Sequence, residues 1–208
     1  MTAGGALSVV LEDARRLGFL GPDPVERHIA HAEAWAEVLE ADQAPSSLLD
    51  LGSGGGIPGL VLALRWPGSE AVLLDSQLRR TAWLRTAVGR LGIGGRVSVA
   101  EGRAETLGHD LELRERFPLV VARSFGAPAI TAELGSAFVT PGGELSVSEP
   151  PGSDHDRRWP EAPLGLLGLG KPRRVVREGG SFVILRKDSA LQEGFPRRQN
   201  LLLRDPVW

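Results

Sequence analysis

The chain has 208 residues, 42% of them hydrophobic and a further 27 of them Gly, with a formal charge of −2 at pH 7. That length suits one large domain, and the apolar content excludes an intrinsically disordered chain. The absence of Cys and the presence of only four His exclude disulfide scaffolds, thiol nucleophiles and iron–sulfur clusters, and leave little for zinc.

Residues 1–44 read as a short helical segment. Leu7, Val10, Leu11, Ala14 and Leu17 recur at helical spacing until Gly18 and Gly21-Pro22 stop the pattern. Asp23-Pro24-Val25-Glu26 has the form of a capping box with Pro at the first helical position. The helix it opens is predicted to run to about Ala41, with Val25, Ile29, Ala32, Ala36 and Leu39 on one stripe. His28 and His31 lie one turn apart on it, and without a third ligand they read as packing or surface histidines, so no metal is expected.

After Pro45 short apolar runs alternate with helix-length segments. Strands are predicted at 48–51, 71–75, 97–100, 119–122 and 144–147, with helices at 57–65, 77–91 and 127–139. This alternation implies an α/β fold, a doubly wound and mostly parallel sheet with helices on both faces. The Pro- and Gly-rich stretch 150–170 reads as a long loop or lid carrying Trp159. Residues 173–176 and 181–185, split by Gly179-Gly180, form an antiparallel C-terminal hairpin. The whole chain is taken as a single domain.

Asp50-Leu51-Gly52-Ser53-Gly54-Gly55-Gly56-Ile57-Pro58-Gly59 ends the first strand and opens a helix, where a doubly wound sheet binds nucleotide-like ligands. Glycines there allow positive φ and a close approach of backbone to ligand. Gly54, Gly56 and Gly59 also fit the dinucleotide fingerprint, with Asp75 at the spacing of a ribose-binding acid, so a dehydrogenase competes. Asp50 argues against it. A carboxylate in a poorly solvated mouth repels a pyrophosphate but attracts the sulfonium and ammonium of S-adenosylmethionine.

The glycine loop, Leu74-Asp75-Ser76 followed by Arg79-Arg80 and Trp83-Leu84-Arg85, Gly102-Arg103-Ala104-Glu105 and Val121-Ala122-Arg123-Ser124-Phe125 together resemble the ribosomal RNA small subunit methyltransferase G family, also called glucose-inhibited division protein B. Arg27-His28-Ile29, the run Phe182 to Lys187 and Phe195-Pro196-Arg197-Arg198 fit it too. The resemblance implies a class I methyltransferase (Rossmann-like) fold and S-adenosylmethionine as cofactor. It further implies methylation of guanine N7 in 16S ribosomal RNA. Carried over by motif, Asp50, Gly52, Gly54, Gly56, Ile57 and Asp75 belong to the cofactor site. Ala104 and Glu105 take its adenine end, and Arg123 stands beside cofactor and substrate as the catalytic candidate. Because N7 already carries a free lone pair, no general base is needed, which suits a chain without a catalytic His, Cys or carboxylate pair signature.

Two features depart from the family. Only about 22 residues precede the capping box, without the family's aromatic-Asn-Leu-Thr stretch, and Glu149-Pro150 stands where the family has Lys-Gly. A small-molecule or other RNA acceptor, or a non-catalytic cofactor-binding role, therefore stays open. The charge is segregated: residues 1–150 carry 13 basic and 19 acidic side chains, residues 151–208 carry 11 and 7. An RNA partner would meet this basic C-terminal quarter, with Arg173, Arg174, Arg177, Arg197, Arg198 and Arg204 as phosphate contacts. Of the 24 basic residues only Lys171 and Lys187 are lysines, a bias of a GC-rich genome that makes Arg number itself uninformative. Neither a basic leader nor an apolar run of ~18 residues occurs, so a cytoplasmic protein without a membrane span is expected.

Overall fold

The computed structural model describes residues 3–39 and 44–208. Two helices come first, α1 (Ala3–Arg16) and α2 (Val25–Leu39); the expected end of the second at Ala41 lies outside the described residues. The alternating part follows as β1 (Ser47–Leu51), α3 (Gly59–Arg65), β2 (Glu70–Asp75), α4 (Leu78–Arg90), β3 (Val97–Glu101), α5 (Ala104–Leu107), β4 (Phe117–Ala122), α6 (Pro128–Ser136) and β5 (Val139–Glu149). The chain closes with α7 (His155–Arg158), α8 (Glu161–Leu166), β6 (Arg173–Arg177), β7 (Gly180–Arg186) and α9 (Gln199–Arg204).

The strands form one sheet in the order β3-β2-β1-β4-β5-β7-β6. β1 to β5 pair in parallel, and β7 runs antiparallel to both β5 and β6. Strand periodicity splits the apolar side chains between two cores. Leu119, Val121, Phe182 and Ile184 pack with α1 to α4, whereas Val120, Ala122, Val183 and Leu185 pack with α6 and the C-terminal helices. The order reverses beside β1, between β2 and β4, which opens a crevice at the strand ends where the glycine loop begins.

α2 is bolted across the far edge of this sheet by side chains. Trp35 Nε1 donates to Ser146 Oγ at 2.7 Å and its ring stacks on Phe182, while His31 bridges Gly179 O and Ser148 Oγ. Gly179 lies in the hairpin because a Cβ there would meet Ala34 Cβ at 2.5 Å.

Three expectations need correction. The stretch 150–170 is not an open loop or lid: it carries α7 and α8, and Trp159, Leu164, Leu167 and Leu169 are buried, since their apolar area outweighs the turn-forming Pro and Gly around them. The capping box does not form. Asp23 Oδ1 instead accepts from Arg27 Nη1 at 3.0 Å, and the Pro24 carbonyl receives the first helical amides. Finally, β5 begins at Val139 and α6 ends at Ser136. The early part of that strand pairs out of register with β4 between Phe117 and Leu119, around Pro141, which has no N–H, and Gly142 at φ +88°.

Candidate active site

Two aspartates at the ends of adjacent strands stitch the glycine loop in place. Asp50, at the end of β1, accepts from Ser53 Oγ at 2.6 Å and from the Gly59 amide at 2.9 Å, both through Oδ2. Asp75, at the end of β2, accepts from the Gly54 amide at 3.0 Å and from the Gln77 amide at 2.9 Å, one on each oxygen. The amides of Gly52 and Ser53 both donate to the Leu74 carbonyl. Gly52, Gly54 and Gly56 take φ of +74°, +55° and +98°, a region that a side chain would strain. At Gly59 the reason is space: a Cβ would strike Asp50 and Leu73.

Asp50 is 1% exposed, and burial pushes its carboxyl up to about 6 against the lowering bonds from Ser53 and Gly59. It lines neither cavity described below, and its bonds to Ser53 and Gly59 hold the loop.

Two cavities meet at this loop, sharing Gly52, Arg80 and Ser124. The first has a volume of about 360 Å³ and is lined among others by Asp75, Ala104, Glu105, Phe125 and Leu202, a size in the range of small-molecule sites. Glu105 is tied to Arg103 at its rim. The second, of about 280 Å³, lies between the segment leading into α2 and the glycine loop, with Leu20, His28, Gly54, Ile57 and Arg123 in its wall. Ser124, at φ +51°, borders both.

Among the residues expected at the site, Gly52, Asp75, Ala104 and Glu105 gather at the first cavity. Gly54, Ile57 and Arg123 gather at the second, and Gly56 lines neither but turns the loop against Leu60. Arg123 Nη2 donates to His28 Nδ1 at 2.7 Å; burial draws its guanidinium below the ordinary value, and Asp50 and Asp23 oppose that.

Sequence reasoning missed His28, Arg80 and the wall formed by α9. Arg80 lies 3.6 Å from Asp75 Oδ2, and its buried Nε has no hydrogen-bond partner. The Arg79-Arg80 pair and the Arg27-His28-Ile29 run were visible as motifs, but nothing local assigned them a position.

The basic C-terminal quarter is less available than its charge suggests. Arg197 grips the buried Glu133 with Nε and Nη2 at 2.6 to 3.1 Å, so it is not a free phosphate contact. Arg173, Arg174, Arg177, Arg198 and Arg204 are exposed, Arg173 lying 3.9 Å from Glu144 and Arg174 Nε donating to Ser181 Oγ at 3.4 Å. Glu149 is buried too, and Arg158 holds both its oxygens at 2.8 and 3.2 Å. The carboxylate expected at the substrate mouth is therefore compensated within the protein.

A mostly parallel seven-stranded sheet with an antiparallel β7, a glycine-rich first turn and an acid ending the second strand defines a class I methyltransferase fold. The fold is shared with the O-methyltransferase from Bacillus cereus solved in complex with SAH, at a TM-score of 0.63 and 19% identity over 88% of this chain and 91% of that one. The chain belongs to the rRNA small subunit methyltransferase G (GidB) family, whose family model matches residues 22–148. It is 32% identical over 168 residues to the ribosomal RNA small subunit methyltransferase G of Moorella thermoacetica, covering 78% of this chain and 70% of that protein. To the protein of that name from a Synechococcus species it is 39% identical over 121 residues, covering 58% of this chain and 50% of the relative. The match thus spans 50% to 70% of the length of these two relatives. The helix α9 that walls the first cavity falls outside the stretch matched by the family model.

Proposed function

We propose that the chain transfers a methyl group from S-adenosylmethionine to N7 of a guanine in 16S ribosomal RNA. The observation that carries this reading is the pair of cavities meeting at Gly52 and Ser124, one suited to a nucleoside cofactor and the other walled by Arg123. Family membership sets the dinucleotide alternative aside.

The residues present fit the cofactor. Each Asp75 oxygen accepts one amide and keeps capacity for a ribose hydroxyl. Gly52 borders both cavities with the Phe125 ring packed where a side chain would stand, Ala104 and Glu105 receive the adenine end, and Leu202 supplies apolar contact. S-adenosylmethionine supplies an electrophilic methyl group on a sulfonium sulfur. Guanine N7 presents an unprotonated lone pair, so a C–N bond forms and a C–S bond breaks without proton transfer. The protein's part is to align the two partners and keep water out. Arg123 acts from the second cavity, where its planar fork suits guanine O6 or a flanking phosphate and leaves N7 free.

The same reading takes residues 1–208 as one domain, supported by the packing of α1 and α2 in a common core with β1, β4 and β7. An RNA surface that includes Arg173, Arg174, Arg177, Arg198 and Arg204 would flank the site, and a ribosomal substrate implies work in the cytoplasm. No helix among the described residues is long and apolar enough to cross a membrane. The Arg158 pair balances the Glu149 charge that had pointed to a different acceptor. The test is incubation with labelled S-adenosylmethionine and 30S subunits lacking the modification, followed by nucleoside mapping. Label in N7-methylguanosine is expected, and cofactor binding without RNA labelling would refute the reading.

A further inference from the structure

We infer that His28 is a positioning residue for Arg123, a neutral imidazole whose Nδ1 lone pair fixes the guanidinium at the wall of the acceptor cavity. The role rests on the methyl-transfer reading above, but the contact itself does not. Every guanidinium nitrogen is a donor and none accepts. A 2.7 Å approach of Arg123 Nη2 to His28 Nδ1 is therefore a hydrogen bond only if Nδ1 is unprotonated. The proton then sits on Nε2, which lies 3.4 Å from the Gly21 carbonyl, a long bond in the right direction to hold that tautomer. Both ring nitrogens are thus accounted for, and His28 is 4% exposed.

The ring has little freedom to move. It is carried by α2, which His31 and Trp35 fasten to the hairpin and to β5 one and two turns further on. Gly21 packs against it from the other side, where a Cβ would come within 3.8 Å of His28 Cε1. A residue 95 positions before Arg123 thus determines where the cation points. Asp50 and Asp23 attract the same guanidinium but make no hydrogen bond to it, which leaves the imidazole as the directional contact.

Protonation would destroy this arrangement by setting two cations donor to donor. The groups facing His28 are Arg123 after β4, Arg15 of α1, Asp23 and the Gly21 carbonyl ahead of α2, and His31 one turn along. Burial and Arg123 hold His28 below the ordinary histidine value, while Gly21 and Asp23 oppose them. The ring therefore stays neutral at pH 7 and charges only on the acid side, where transfer should fall.

The test compares three variants of the full chain in single-turnover methyl transfer to 30S subunits from pH 5 to 9, with cofactor affinity measured alongside. His28→Asn keeps an acceptor oxygen where Nδ1 sits and cannot titrate. His28→Gln reaches only to the Nε2 position, and His28→Ala leaves nothing. Misplacement by ~1 Å can cost about 10²-fold, so His28→Ala and His28→Gln are expected to slow transfer about 10- to 100-fold with cofactor affinity little changed. His28→Asn should recover to within a few-fold of wild type and lose the acid limb of the pH profile. In parallel, ¹⁵N spectra of the wild-type imidazole should report an Nε2–H tautomer at pH 7. An Nδ1–H tautomer, a fully active His28→Ala, or a His28→Asn as slow as His28→Ala would each overturn the proposal. Wild-type protein that methylates no RNA would instead overturn the functional reading and the positioning role with it, an outcome distinct from an active wild type matched by an equally active Ala variant.

Discussion

The two cavities that meet at Gly52, Arg80 and Ser124 are built by different means. The first, the proposed nucleoside side, joins groups at the strand ends, among them Gly52, Asp75 and Ala104, to an apolar wall of Phe125, Ile130, Leu134 and Leu202. The second, the proposed acceptor side, sets the glycine loop from Gly52 to Gly55 against side chains from distant parts of the chain, with Arg123 after β4 meeting His28 of α2 and Leu20 from the α1–α2 connection. The glycine loop, a backbone cradle that both share, changes little with sequence so long as its glycines remain. A side-chain wall changes with each residue in it, which is the property expected of the surface that chooses the substrate.

Substitutions on the two sides should separate binding from transfer. The largest effect is expected for Arg123→Ala: loss of one positioned cation costs about 10²- to 10³-fold in single-turnover rate, with cofactor affinity nearly unchanged, as followed by label transfer and by titration calorimetry. Next is Arg197→Ala, which leaves Glu133 buried without its partner. A loss of ~3 kcal/mol of stability is expected, read by denaturant unfolding. Weaker cofactor binding should accompany it, because Arg197 tethers the segment leading into α9, which walls the nucleoside cavity. If binding is untouched, α9 is not part of that cavity in solution.

Asp75→Asn keeps one acceptor oxygen and turns the other into an NH2 that cannot accept, so of the bonds from Gly54 and Gln77 one is weakened and one lost; it should raise the cofactor dissociation constant about 10-fold. The smallest effect concerns a region outside both cavities. Lys187 is wholly buried, donating to the Ser136 and Leu167 carbonyls, and burial lowers its pKa to about 8 despite Glu115. Its folded value lies below its unfolded one, so the native state holds fewer protons between the two. Stability should rise by about 1 kcal/mol per pH unit from pH 8 towards 10 and fall back as pH drops through 8. Lys187→Met should flatten that slope in unfolding curves taken across the range.

Legibility in the sequence follows the same division. Strand spacing, the glycine loop, Asp75 and the Ala104-Glu105 pair are local patterns, and the structure has them at neighbouring strand ends. His28 stood in a visible motif that gave no sign of its partner, because Arg123 lies in another part of the chain. Nor could spacing reveal that Asp50 acts through Ser53 and Gly59, or that Glu149 is matched by Arg158. Composition misled at 150–170, where Pro and Gly suggested an open loop while Trp159 and three leucines carried enough apolar surface to be drawn into the core. At Asp23 the helix had two uses for one carboxylate, and the exposed pair with Arg27 took it from the cap.

The division between the two cavities is tested most directly by measuring single-turnover methyl transfer for Asp75→Asn and Arg123→Ala over a range of cofactor concentrations. Saturating cofactor should bring Asp75→Asn back to within a few-fold of wild type and leave Arg123→Ala as slow as before. Rescue of Arg123→Ala by excess cofactor, or an Asp75→Asn that excess cofactor cannot rescue, would contradict the assignment of one cavity to the methyl donor and the other to its acceptor.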